Sequence, residues 1–472
     1  MRTFAGMGLV LAAEVAAAGG LAAARRLRTR RKQPVAAAAD TTAVALRLGR
    51  ASVAEQEDQD PDKGRDTGSK TPIPDHVSAV LEIEPLDAVL PSADPPSPIP
   101  SHILTGLRAD PLLGLADVRL VQHVQPTGAG LPERSQAGAS YQNLNQDIAR
   151  RLGIDPIPAA CLTWLAFRLE LPGSRRHTLA ARAAGPILAR GGGIIGAQRT
   201  LDKAARAASA KLALAGYRTI TLADDDYQPG FRSDLAETHE HETPEKVNED
   251  TDRDAKNAKN TKKATATPGG VLIGVDPAHR PVTLGLFRRT TLSAAVVGSL
   301  HLAQILALRC AAVGARVIVE TARQDEWDPV LLHSGLDAAR LTVRPVGRPV
   351  GNPGWPAPSM ANPLLVLRDC GARPPYATVP RGPWTAIVTL LPYFDPRTAG
   401  YLRDADLVGL QRMPREEAAI ARHLLALPDK DTAALPDLPD PMVLWRSRKR
   451  TVRFCELAST AWEEAFLGEP VR

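Results

Sequence analysis

Two stretches of this chain place glycines and hydroxyls where a phosphate could be gripped. Gly191-Gly192-Gly193-Ile194-Ile195-Gly196 satisfies the GxGxxG pattern letter for letter. That pattern holds a pyrophosphate when it joins a strand to a helix, because the helix N-terminus then offers its free amides to the anion. Here the preceding residues, Leu179 to Arg190, read as helix or coil broken at Gly185-Pro186. The triple glycine therefore reads as a turn ahead of a helix. The second stretch, Val296-Val297-Gly298-Ser299, does join a strand to a helix, and Glu320 ends the next strand 22 residues after Gly298. That is the layout of a dinucleotide site with Glu320 in the ribose-binding place. Val296 and His301 stand where the other two glycines belong, so the close backbone approach is lost. Taken as a phosphate loop, the stretch lacks GxxxxGK[ST] and any Lys to reach the terminal phosphates. The scaffold of a nucleotide domain is present without the phosphate grip.

Other constellations carry less. His239, Glu240 and His241 have ligand chemistry but sit in a charged run without fixed geometry, which reads as solvated chain. Asp224 to Asp226 end a strand and serve solubility more cheaply than cation binding. Ser299 and His301 are two apart at a helix start and do not face each other as nucleophile and base. Cys161, Cys310, Cys370 and Cys455 show no CxxC spacing, and each lies in or beside an apolar run. They read as buried free thiols of a reducing compartment. No residue is assigned to catalysis, cofactor or metal, and no cofactor is expected.

The elements that would position these residues fall into two groups. Cys161, Thr163, Leu165, Phe167, Leu169 and Leu171 alternate with Arg168 and Glu170, predicting a half-buried strand. Leu201, Ala205, Ala208, Leu212 and Ala215 predict a helix closed by Gly216, followed by a strand from Tyr217 to Leu222. With strands at Val77 to Ile83 and Val118 to Val124, this predicts an α+β domain over 76–230. In 270–472, strands at 294–297, 316–320, 364–367, 386–390 and 407–410 alternate with helices at 300–313, 396–402 and 414–425. Alternation of this kind predicts a mainly parallel sheet covered on both faces, a Rossmann-like α/β domain without a phosphate loop. Met442 to Trp445 and Val452 to Cys455, around the basic turn Arg446 to Arg450, predict a terminal antiparallel pair.

The 472 residues allow two or three domains. Phe4 to Ala24 holds no Lys or Arg and is long enough to cross roughly 30 Å of hydrocarbon. Six of the next eight residues are basic, which would keep the following chain in the cytoplasm. Glu14 lies mid-segment and would need to face a partner helix. Residues 1–32 are thus expected to be a membrane anchor with a basic flank, the alternatives being a secretory signal peptide and an amphipathic or soluble Ala-rich helix. Residues 33–75 and 231–269 are polar, highly charged stretches expected to be linkers, the first disordered. Five prolines between Pro91 and Pro100 predict an extended connector. The formal charge of +6 invites a nucleic-acid reading, but no basic stripe is interleaved with aromatics, so no nucleic-acid partner is expected.

In several stretches the sequence resembles the EccE family of actinobacterial type VII secretion components. These are Ser140-Tyr141-Gln142, Thr163-Trp164-Leu165-Ala166-Phe167-Arg168-Leu169, Ala189-Arg190-Gly191-Gly192-Gly193, Gly196-Ala197-Gln198-Arg199 and Leu212-Ala213-Leu214-Ala215-Gly216-Tyr217. Val296-Val297-Gly298 through Val319-Glu320-Thr321, and Ala405 to Gln411, resemble the extra C-terminal domain of some EccE-like proteins. The family usually begins with two hydrophobic segments, and one is visible here. The resemblance implies a non-enzymatic subunit of a membrane secretion complex, with 76–230 as an EccE-type domain and both large domains in the cytoplasm. Its implied partners are the other membrane-complex subunits, including the secretion ATPase. The alternative is a nucleotide-binding regulator or enzyme built on 270–472.

Overall fold

In a computed structural model, the described residues are 47–48, 75–92, 98–128, 135–172, 174, 176–221, 269–348, 350, 355–375 and 379–469. Phe4 to Ala24 with its basic flank, Asp224 to Asp226, His239, His241 and nearly all of both linkers lie outside them. No helix among the described residues is long and apolar enough to cross a membrane. The architecture is mixed α/β with two sheets, and Val44–Arg472 form one compact unit.

The first sheet is antiparallel. It holds β1 (Arg47–Leu48), β2 (His76–Pro85), β3 (Asp117–Gln125), β4 (Ala160–Glu170) and β5 (Tyr217–Thr221). β2 and β3 flank β4, while β1 and β5 pair with opposite ends of the far edge of β2. One face is covered by α1 (Ser101–Ala109), α3 (His177–Leu188) and α4 (Gly193–Leu214). Leu165, Phe167 and Leu169 of β4 pack there against Leu201, Ala205, Ala208 and Leu212. β4 differs from its expected half-burial. Its other face puts Leu162 and Trp164 against Met360 and Trp384 of the second half of the chain, so both faces are buried. Arg168 stays in the strand because it is ion-paired to the fully buried Glu170 at 2.8 Å.

The helical hairpin α3–α4 explains the glycine run. α3 continues through Pro186, because that proline lies in the last turn and the helix ends two residues later. Gly191, Gly192 and Gly193 all have positive φ, at 109°, 72° and 55°, which side chains with a Cβ rarely adopt. Gly196 then lets α4 pass directly over the Ile187 carbonyl, where a Cβ would collide. The pattern is a helix–helix turn.

The second sheet has ten strands in the order β10-β9-β11-β12-β8-β13-β14-β15-β6-β7. Six are parallel: β8 (Leu292–Val297), β9 (Arg316–Thr321), β10 (Leu341–Pro345), β11 (Leu364–Asp369), β12 (Thr385–Leu391) and β13 (Leu407–Leu410). The rest are antiparallel: β6 (Val271–Val275), β7 (Pro281–Leu284), β14 (Met442–Ser447) and β15 (Val452–Leu457). The central parallel strands β8, β11 and β12 are apolar along most of their length, as burial on both faces favours. α5 (Leu300–Ala312) is buried along its whole length between this sheet and two outer helices, α2 (Gln136–Leu152) and α10 (Ala461–Leu467). Against the other face lie α7 (Ala399–Asp404) and α8 (Arg415–Leu425).

α2 comes from the segment 76–230, yet its Ala137, Tyr141, Leu144 and Ile148 sit in the core of the second sheet. The segments 76–230 and 270–472 therefore share a core. Arg309, at 1% exposure, fastens it. Its guanidinium donates to the carbonyls of Ile273 (2.6 Å) and Ala458 and to the Glu463 carboxylate at 3.0 Å. Arg309→Met leaves Glu463 buried and uncompensated, and should cost about 3–5 kcal/mol. Urea unfolding measures this; a loss below about 1 kcal/mol would show the pair to be dispensable.

Candidate functional site

In open parallel sheets, ligands bind beyond the carboxyl ends of the strands, where a helix N-terminus offers free amides. In this chain that place is Gly298-Ser299, between β8 and α5. The local structure forms as the sequence predicts: Ser299 has extended backbone and caps α5, its Oγ accepting from the Leu302 N–H at 3.4 Å. The place is occupied from within. Gln411, at the end of neighbouring β13, directs Oε1 to the Ser299 N–H at 2.6 Å. The Gly298 N–H donates to the Leu391 carbonyl of β12 at 3.0 Å. A Cβ on Gly298 would lie 2.5 Å from Gln411 Oε1, so the glycine makes room for a side chain of this protein. The Gly298 and Ser299 amides are spent on internal partners, and the Leu302 amide on the Ser299 cap.

Glu320 is not in a ribose-binding place. The dinucleotide layout needs the second strand beside the first, but β11 and β12 lie between β9 and β8. Glu320 is thus three strand spacings away, about 14 Å. It is buried and accepts from Arg368 Nε at 2.7 Å and the Gly347 N–H at 3.0 Å. The next acid along this edge, Asp369, is bound by Thr321, Trp327 and both arms of Arg323. Carboxylates held this way orient loops and have little capacity left for substrate.

Ser299 and His301 are brought together with no nucleophile–base geometry, since Ser299 Oγ is used as a cap. His301 points under α10 and is nearly fully buried, with Glu463, Glu464 and Arg309 as its charged neighbours. Burial pushes its imidazole below the ordinary 6.5, against the opposing pull of the Leu467 carbonyl and Glu463. The four cysteines are free. Burial raises Cys161 to about 11 and Cys370 to about 12, and also pushes up Cys310 and Cys455. Thiols held protonated at neutral pH are poor nucleophiles. Among the described residues, no group of three or more His, Cys, Asp and Glu is placed to hold a metal.

A cleft of about 410 Å3 opens where the two sheets meet, lined by Arg218, Arg288, Arg448, Lys449, Asp87 and Asp406. Its cations are largely matched within the protein. Glu84 accepts from both Arg218 (2.8 Å) and Arg288, and Asp406 faces Arg448. Beside it, Arg289 pairs with buried Glu82 across the same seam. Burial raises the Glu82 carboxyl, with Arg289 opposing it.

The residues with the most defined roles lie in no chemical motif, although three of them, Ser140, Tyr141 and Gln142, belong to the stretches that carry the resemblance. Tyr141 accepts the Leu272 N–H at 2.8 Å, Ser140 shares a 2.7 Å hydrogen bond with Thr460, and Gln142 donates to the Thr127 carbonyl at 3.1 Å. Burial pushes the Tyr141 phenol far up, so it stays a neutral hydroxyl. Ser135 as N-cap, Gly153 just past the end with φ of 64°, and Tyr141, Leu144 and Ile148 at helical spacing were the signals for α2.

Two outcomes are expected. Gln411→Ala strands the Ser299 amide and should lower stability by about 1–3 kcal/mol in urea; an unchanged midpoint would mean the amide finds another partner. For His301 the folded pKa lies below the unfolded one, so the folded state binds fewer protons in that interval. Its contribution is complete above about 6.5 and is lost as pH falls through that value. Unfolding midpoints measured from about pH 7 to about pH 5 should therefore fall less steeply in His301→Leu. Identical slopes would remove His301 as the titrating group.

No protein-family model matches this sequence, and no curated protein matches it.

Proposed function

We propose that this chain is a non-enzymatic structural subunit of a type VII protein secretion membrane complex, anchored through Phe4 to Ala24 with its bulk in the cytoplasm. The observation that carries the non-enzymatic reading is the occupation of the Gly298-Ser299 amides by Leu391 and Gln411. In this reading 270–472 is a Rossmann-like domain whose ligand crevice has been closed by its own side chains. A scaffold needs a rigid body with well-defined faces, and a filled crevice adds to rigidity what it removes from binding.

The assignment to the secretion machine rests on the resemblance to the EccE family. Its residues have architectural positions here. Ser140-Tyr141-Gln142 ties α2 to the second half of the chain, Ala189 to Arg199 makes the α3–α4 turn, and Leu212 to Tyr217 makes the turn into β5. Residues that set the shape of a body suit a subunit whose role is to present surfaces to neighbours. The partners in this reading are the other membrane-complex subunits and the secretion ATPase.

The test is affinity purification of the tagged full-length chain from detergent-solubilised membranes of its native host. Co-purification of secretion-complex subunits in fixed proportion is the expected result. Recovery of the chain alone from membranes that hold the assembled complex would overturn the reading. So would saturable micromolar binding of ATP, GTP, NAD or NADP to the purified chain.

A further inference from the structure

The outer surface of the α3–α4 hairpin is used by nothing described so far. Between Arg176 and Leu214 the sequence has seven Lys and Arg against one acid, Asp202. The buried side of α4 faces the first sheet through Ala197, Leu201, Ala204 and Ala208. On its opposite side Ile195, Arg199, Lys203 and Arg206 follow at intervals of four, four and three, forming one exposed stripe. Arg182 of α3 is exposed as well. Two of these arginines cover backbone: Arg182 donates to the Arg108 carbonyl and Arg199 to the Arg190 carbonyl at 3.0 Å. Those bonds hold the guanidinium groups in place and neutralise no charge.

Aliphatic groups are also exposed at the glycine turn, Ile195 on this stripe and Ile194 on the side of Leu201 and Leu212. Leu188 is 76% exposed, Ile195 60% and Ile194 43%. At the far end of α4, Leu214 is 91% exposed. Large aliphatic groups left in water at both ends of a cationic helix, Ile195 and Leu214 about 29 Å apart by helical rise, have no account in the packing of the described residues.

We propose that the outer face of the α3–α4 hairpin docks on an anionic lipid surface. Leu188 and Ile195 enter the headgroup–acyl boundary, and Arg199, Lys203 and Arg206 meet lipid phosphates. Helices that bind membranes edge-on combine these two features, an aliphatic insertion and a cationic face. A nucleic acid would need bases to stack, and this face exposes no Phe, Tyr or Trp. An acidic peptide would need a groove, and the cleft where the two sheets meet is not lined by residues of this face. A bilayer is broad enough to meet the stripe and both aliphatic ends together. The inference stands whether or not Phe4 to Ala24 crosses a membrane, and whether or not the chain joins a secretion complex.

The experiment uses the full-length chain with Ile195→Cys carrying an environment-sensitive dye. The unsubstituted chain, treated identically, gives the background from native cysteines. Vesicles contain nitroxide-labelled lipid in phosphatidylcholine alone or in equal parts phosphatidylcholine and phosphatidylglycerol. Expected are a blue shift and nitroxide quenching at position 195 with the anionic vesicles only. Replacing Arg199, Lys203 and Arg206 by Gln should weaken the response about 100-fold, at roughly fivefold per charge, with unfolding midpoints unchanged. An Ile195 dye that stays in water on anionic vesicles would overturn the proposal. So would an equal response to neutral vesicles, or a response to poly-glutamate or duplex DNA in place of lipid.

Discussion

The buried guanidinium of Arg309 organises the second half of this protein where the first half packs against it. An arginine in the middle of an otherwise apolar helix is costly to bury, and the cost is offset only when every donor is placed. Its donors reach the β6 carbonyls of Leu272 and Ile273, the Ala458 carbonyl and Glu463. Glu463 also closes a capping box with Thr460 at the start of α10. Thr460 bonds Ser140 of α2, whose next residue, Tyr141, accepts the Leu272 amide. The bonds form a ring through α5, α10, α2 and β6. Segments far apart in sequence are joined by these bonds at the same place where their apolar faces meet.

That ring fixes the attitude of α5, and α5 starts at the place where an open parallel sheet normally binds its ligand. With the helix held from behind, its first amides need partners. Gln411 and the Leu391 carbonyl fill the Ser299 and Gly298 positions. Along the same edge, Glu320 and Asp369 are bound to Arg368 and Arg323. The acids at the strand ends hold loops together. The edge of the second sheet is thus tied inward, while the hairpin on the first sheet presents its cations outward.

Much of the fold was legible in the sequence. Period-two alternation located β2, β3 and β4 to within two residues, and short apolar runs located the strands from β8 to β13 except β10. β10 escaped because Leu341-Thr-Val-Arg-Pro is an edge strand, half-buried and weakly patterned. β6 and β7 escaped because their hairpin turns at Asp276 to Arg280 without a two-residue glycine signature. α2 was hidden by Gln, Asn and Ser among its apolar positions; those polar residues bond to distant backbone and side chains, which no local pattern reveals. That Val296 and His301 stand where glycines belong around Gly298 was legible in the sequence. What occupies the Ser299 amide was not, because Gln411 lies 112 residues along the chain from Ser299.

Local rules therefore determined which residues become strand, helix and turn. Periodicity, caps and glycine conformations act within a few residues, and they also showed that Gly191 to Gly196 follows no strand. Strand order, and with it the meaning of Glu320, was decided in three dimensions: β11 and β12 insert between β8 and β9 although they come later in sequence. The burial of both faces of β4 and the ring around Arg309 were decided there too. Each needs partners more than a hundred residues apart, and the free energy that selects them is the desolvation of charge and apolar surface, which exists only once the chain has closed on itself.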